Sequence, residues 1–281
     1  MIKPIVAGQF YPKDFGELTK QIEESFKLGP GDLPTRRKDK KLFGILVPHA
    51  GYAYSGQCAA WAYKELAEAK FEKTYVIIAP DHNGRHNTVT TCKENWETPL
   101  GIIPVDKDFI LHLKEKCPFI KEDEIKEHAV EVQLPFLQYA CRDRIKDLKI
   151  VPLVIPNENN FEELGRALSE ISEDICIIIS SDFTHYGPNY GYVPFTLNIK
   201  SRLKMLDHKA IQLIEQLKTK EFLNYVKATK ATICGSSAIA VGIEALKEMF
   251  SKKGKLLSYY TSGDFTKNYT NSVSYASLEF R

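Results

Sequence analysis

Four apolar runs punctuate the chain: LFGILV at 42–47, TYVIIAP at 74–80, LKIVPLVIP at 148–156 and ICIIISSDF at 175–183. None alternates with polar residues, the pattern of strands covered on both faces rather than of a half-solvated antiparallel sheet. After a glycine turn in GYAYSG (51–56), QCAAWAYKELAEA (57–69) predicts a helix rich in small residues. Strand, helix and strand within about 40 residues form a βαβ unit, hence a parallel pair. FEELGRALSEIS (161–172) supplies a helix between the third and fourth runs.

The remaining pattern is helical or mixed. DFGELTKQIEESFKL (14–28) sets apolar residues at helical spacing behind Asp14, a capping residue, and GPGDLP stops it. TVTTCKENWETPLGIIPVD (88–106) reads as short β pieces and turns, an antiparallel hairpin. DFILHLKEKC (108–117) and EIKEHAVEVQLPFLQYA (124–140, with a proline partway) read as helices, and a long helical region spans 197–229. A turn and helix follow in ATICGSSAIAVGIEALKEMF (231–250), then two β tracts at 255–264 and 272–280. With no repeat and no long linker, the expectation is one α/β domain over 1–281. Its mostly parallel central sheet has helices on both faces and antiparallel additions at the edge.

Composition narrows the function classes. The net charge of +2 is near balance, and no basic stripe with interleaved aromatics supports nucleic-acid binding. RRKDKK (36–41) reads as a solvated loop. No apolar stretch approaches the roughly 20 residues of a membrane span, and the N-terminus lacks the parts of a signal peptide. The six cysteines (58, 92, 117, 141, 176 and 234) show no CxxC spacing, against a zinc ribbon, a thioredoxin motif or a disulfide framework. A protein of a reducing cytoplasm is expected.

Candidate chemistry gathers where the apolar runs end. ILVPHAG presents His49, VIIAPDHNG presents Asp81 and His82, and IIISSDFTHYG presents Asp182 and His185. Carboxyl ends of parallel strands line the ligand crevice of open α/β sheets, so these groups are expected to converge. Cys234, before a glycine and a serine-rich helix start, suits metal binding or nucleophilic work, or is a small buried hydrophobe. His128 and Glu131, three apart, share a helical face, whether beside the site or on an amphipathic helix. His86, His112 and His208 read as surface or packing residues. Two histidines with one anionic ligand would hold a metal with an open position, and another histidine could serve as acid or base.

PIVAGQFYP at 4–12, VPHAGYAYSG at 47–56, APDH at 79–82, EHAVEVQLPF at 127–136, SSDFTHYG at 180–187 and TICG at 232–235 together resemble the Memo family. Its microbial members are called AmmeMemoRadiSam system protein B, and the similarity covers essentially the whole chain. The resemblance implies a fold like that of class III extradiol dioxygenases, non-haem iron enzymes that open catechol rings. It places His49 and His82 on the metal-binding histidines and His185 on the acid/base histidine, with Asp182 beside it. Where the dioxygenases use a glutamate as third ligand, the family has a cysteine, here Cys234. A thiolate shifts preference toward softer or redox-active ions, so iron or copper is expected, with zinc as a further candidate.

The expected function is a metal-dependent, dioxygenase-like oxidoreductase acting in an aromatic-friendly pocket that includes Tyr54, with His128 and Glu131 around the site. A metal- or peptide-binding protein that keeps the pocket is the alternative. A third reading makes Cys234, His185 and Asp182 a nucleophile, base and orienter. A small molecule or peptide is the expected occupant of the strand-end crevice, and pairing of edge strands could build a homo-oligomer.

Overall fold

In the computed structural model, which describes residues 1–156, 160–249 and 251–281, the four apolar runs form the centre of one sheet. Along the chain, α1 (Phe15–Leu28) precedes β1 (Gly44–Val47), α2 (Tyr52–Glu68) and β2 (Thr74–Pro80). Next come β3 (Thr90–Thr91), the hairpin β4 (Trp96–Thr98) and β5 (Gly101–Ile103), α3 (Lys107–Lys116), β6 (Lys121–Glu122), α4 (His128–Glu131) and α5 (Gln133–Ala140). Then β7 (Lys149–Ile155), α6 (Phe161–Ile171), β8 (Ile175–Ser180), β9 (His185–Tyr186), α7 (Ile199–Glu215) and α8 (Thr219–Thr229) follow. The chain closes with α9 (Ser236–Glu248), β10 (Gly254–Thr261), α10 (Ser262–Thr266) and β11 (Ser272–Phe280).

The main path of the sheet runs β10-β11-β1-β8-β2-β7-β3-β6, with β9 paired to β11. β1, β8, β2 and β7 are mutually parallel, whereas β11, β10 and β3 join antiparallel. The sheet is therefore mixed and mostly parallel at its core, as the apolar runs predict. The connections β1 to β2 and β7 to β8 run in opposite directions across the sheet, and the right-handed rule for such crossovers then assigns α2 and α6 to opposite faces. α1 and α5 back α2, and α6 packs on α9, which lies against β8 and β2.

Register decides what emerges at the carboxyl edge. Val47 pairs with Ser180 and Ile78 with Ile179. With Pro80 also paired to Ile155, His49, Asp182 and His82 each lie two residues past the last paired position of their strand, so all three leave the sheet at one edge. Parallel neighbours are about 4.8 Å apart, so the groups arrive within side-chain reach.

Several expected boundaries shift. The first strand begins at Gly44 rather than Leu42, and GYAYSG is not a turn: α2 starts at Tyr52. The Tyr52 N–H that the helix leaves unpaired donates to the Phe10 carbonyl (2.8 Å), a partner from the N-terminal segment that local pattern cannot reveal. Gly56 lies inside the helix, where a Cβ would fall 2.6 Å from Ser25 Oγ, so it allows close approach of α1. The 197–229 region divides at Leu217, whose φ of 55° ends α7. The 124–140 region becomes two short helices meeting at Val132, and the end of the 255–264 tract turns into α10. Asp14 caps α1 as expected, accepting from Gly16 N–H (2.8 Å) and Glu17 N–H (2.9 Å). Phe250, the end of the expected last helix, lies outside the described residues.

Candidate metal centre

Each strand-end group reaches the crevice by a different local device. Pro48 follows β1 and aims the next residue, His49, inward, where its N–H donates to Asp182 Oδ1 (2.8 Å). After β2, Asp81 accepts the His86 N–H (2.8 Å) and closes a turn that leaves His82 at the rim. After β8, the Asp182 N–H donates to Cys234 Sγ at 3.3 Å. Cys234 is carried to that point by α9, whose preceding Gly235 N–H donates to Ser181 Oγ (3.0 Å).

His49, His82 and Cys234 place one donor atom each within 4.8 Å of one another, and His49 Nε2 lies 3.2 Å from Cys234 Sγ. Two ligands at tetrahedral positions on a zinc-sized ion are about 3.4 Å apart, so the spacing suits a first-row metal. The His82 imidazole also has the correct free nitrogen. His82 uses Nδ1 on Glu127 Oε1 (2.9 Å), and a carboxylate can only accept, so Nε2 keeps its lone pair. A histidine held by a carboxylate through its second nitrogen is the usual support of a metal ligand. The donor set therefore fits a transition metal.

Four further groups surround these donors. His128 Nδ1 also lies 3.0 Å from Glu127 Oε1, so the Glu127 carboxylate ties His82 to His128 in a hub whose donor atoms are also close enough to hold an ion. The His49, His82 and His128 rings have centroids 4.5–5.5 Å apart. His185 Nδ1 faces two carbonyls, of Phe183 (3.0 Å) and Thr232 (3.1 Å), so it carries the proton there and Nε2 is free to accept one. Asp182 is buried, and that burial lifts its carboxyl above the usual range although the neighbouring His185 opposes the lift.

The crevice holds about 500 Å³ and is lined by Phe10, Tyr54, Tyr190 and Tyr275 as well as the four histidines and Asp182. Burial depresses the basicity of His49, and His82 and His128 nearby depress it further. Burial and the Asp182 charge push the Cys234 thiol up. Without a cation the pair is thus neutral thiol beside neutral imidazole. The nucleophile reading needs a thiolate near neutral pH and His185 as its base, whereas the nitrogen beside the sulfur belongs to His49.

Of the residues expected from sequence, His49, His82, Cys234, His185, Asp182, His128 and Tyr54 gather at this edge. Glu131 does not. Its carboxylate accepts from Ile5 N–H (2.7 Å), Val6 N–H (3.0 Å) and Tyr11 Oη (2.6 Å), pinning the N-terminal segment instead. Helical spacing selected Glu131, but α4 begins only at His128, so the carboxylate beside the histidines is Glu127, just outside the helix. The adjacency of Glu127 and His128 was the available signal. Phe10, which lines the crevice, carried none, because its place there depends on contacts far along the chain.

Known proteins resemble this chain along nearly its whole length. Residues 3–279 match the family described as Memo-like protein. A MEMO1 family protein of Methanopyrus kandleri is 37% identical, the match covering 99% of this chain and 98% of that one. Another, from Methanococcus vannielii, is 36% identical, with 98% and 97% covered. A crystal structure of an uncharacterized protein from Escherichia coli K12 shares the fold at a TM-score of 0.56. It is 12% identical, with 86% of this chain and all of that chain covered (100%). Among the described residues no helix is long and apolar enough to cross a membrane. With the family match spanning nearly every residue, the chain belongs to the Memo family.

Proposed function

We propose that this protein binds a redox-active transition metal, iron or copper, with zinc as the redox-inert candidate, through His49, His82 and Cys234, and uses it as an oxidoreductase of the dioxygenase-like type. The observation that carries the reading is the convergence of two imidazoles and one thiol within 4.8 Å at the mouth of an open crevice. Two nitrogens and one sulfur leave ligand positions open for a substrate. The metal, when bound, would supply electron transfer and polarise an oxygen donor.

The chain's own groups do the rest. Cys234 would release its proton to solvent on serving as a ligand, which would make metal uptake pH-dependent. His185 Nε2 accepts a proton from a substrate hydroxyl, and Asp182 beside it favours the resulting charge. Phe10, Tyr54 and Tyr190 line the crevice and offer aromatic walls to a flat ligand. A small hydroxylated aromatic is the substrate class that suits these walls.

Metal analysis of anaerobically purified protein tests the binding. Wild type is expected to retain close to one metal ion per chain, and His49→Ala and Cys234→Ser to lose it. Unchanged metal content in both variants would sink the triad. Oxygen uptake with a panel of catechols after iron loading tests the activity. Full metal with no uptake across the panel would favour a metal- or peptide-binding role for the same crevice.

A further inference from the structure

We infer that the Ser180 hydroxyl is a positioning group that fixes the His49 proton on Nδ1 and so presents Nε2 to Cys234 as a bare lone pair. Its functional consequence rests on the metal-binding reading above; the proton placement itself does not.

Acceptors that have no proton to give decide the matter. The Pro48 and Ala129 carbonyls can only accept. Gln133 Nε2 lies 3.0 Å from Pro48 O, and Gln133 Oε1 receives the Tyr63 hydroxyl at 2.9 Å. Turning the amide over would set its oxygen against the Pro48 carbonyl, so the NH₂ group faces Pro48 and Ser180. Ser180 Oγ is 2.7 Å from Ala129 O, and its single proton is committed there. What remains on that oxygen is lone pairs. One receives Gln133 Nε2–H (2.9 Å), and the other faces His49 Nδ1 at 2.9 Å. An unprotonated Nδ1 would set lone pair against lone pair, so Nδ1 carries hydrogen.

This control differs from that of the other three histidines. His82 and His128 face a carboxylate, and His185 faces carbonyls, acceptors by nature. Of the four crevice histidines, His49 alone faces a hydroxyl, which can donate or accept. Its tautomer is therefore set one step away, by the carbonyl of Ala129 beside His128 and by Gln133 of α5. Ser180, Gln133 and His49 are all buried, so water does not offer a replacement partner.

The test reads the tautomer directly, by two-bond proton–nitrogen correlation spectra of histidine-labelled, metal-free protein, alongside Zn²⁺ titration. Wild type is expected to show His49 as a single Nδ1–H tautomer. Ser180→Ala is expected to show a mixture containing Nε2–H, since Cys234 Sγ can accept that proton, and about 10–100-fold weaker Zn²⁺ binding. Ser180→Thr, which keeps the hydroxyl, is expected to restore the single tautomer. An Nε2–H tautomer in wild type would overturn the inference, as would a single Nδ1–H tautomer and unchanged Zn²⁺ affinity in Ser180→Ala. Should the alanine variant fail to fold, the wild-type spectrum still decides. A wild type that takes up no Zn²⁺ would sink the metal reading while leaving the tautomer result intact.

Discussion

Glu127 uses one carboxylate oxygen three times, accepting from His82, from His128 and from the Ala129 N–H (3.0 Å), while the other oxygen takes the His82 N–H (2.9 Å). Burial raises its pKa, but the hydrogen bonds from His128, His82 and the Ala129 backbone outweigh that and hold it well below the usual carboxylate range. A folded-state value depressed below the unfolded one, about 4.3, gives stability that is complete above that pH and lost as pH falls toward the folded value. Glu127→Gln, which keeps one acceptor, is expected to cost about 1–3 kcal/mol at pH 7. The gap between wild type and variant should narrow below about pH 4.3 in urea unfolding measured across pH. A gap that stays constant down to low pH would show that Glu127 is not ionised in this hub. The same variant is expected to weaken metal binding about 10–100-fold, measured by titration at neutral pH.

At the scale of elements, the junction between β8 and α9 sets the sulfur. The first turn of α9 lies so close to the end of β8 that a Cβ on Gly235 would stand 2.5 Å from Ser181 Cβ and 2.8 Å from the Ser180 carbonyl. Backbone cannot give way as a flexible side-chain end can. Gly235→Ala is therefore expected to cost about 1–3 kcal/mol in chemical unfolding. It should also move Cys234 away from His49, with at least a tenfold loss of Zn²⁺ affinity in the same titration. Destabilisation with wild-type affinity would separate the glycine from the site. The serine-rich helix start after TICG marks this helix in the sequence. The need for glycine at 235 is visible only once β8 lies against it.

On the scale of the whole molecule, the proposed ligands come from the ends of β1 and β2 and from the start of α9, elements separated by up to 185 residues. A metal joining them binds the folded chain and not the unfolded one. Metal at a hundredfold excess over Kd is expected to stabilise by about 2.7 kcal/mol and to raise Tm by roughly 5–10 °C, with chelator reversing the shift. Scanning calorimetry with and without metal checks this, and coincident midpoints would count against a shared ion.

Apolar runs without alternation determined by themselves that the central strands are parallel and covered, because burial on both faces leaves no polar positions. Likewise, His49, His82, Asp182 and His185 were legible as candidates because each follows such a run. Their convergence at one edge was legible from the rule that parallel strand ends share a crevice, but their neighbours were not, since β8 enters between β1 and β2 only through crossovers that local pattern does not encode. The start of α2 was missed because its first N–H is satisfied by Phe10, and Glu131 was preferred to Glu127 because periodicity does not say where a helix begins. Tertiary structure alone decided which nitrogen of each histidine faces the crevice. That choice depends on which donors and acceptors the fold brings to within 3 Å, and those partners come from distant parts of the chain.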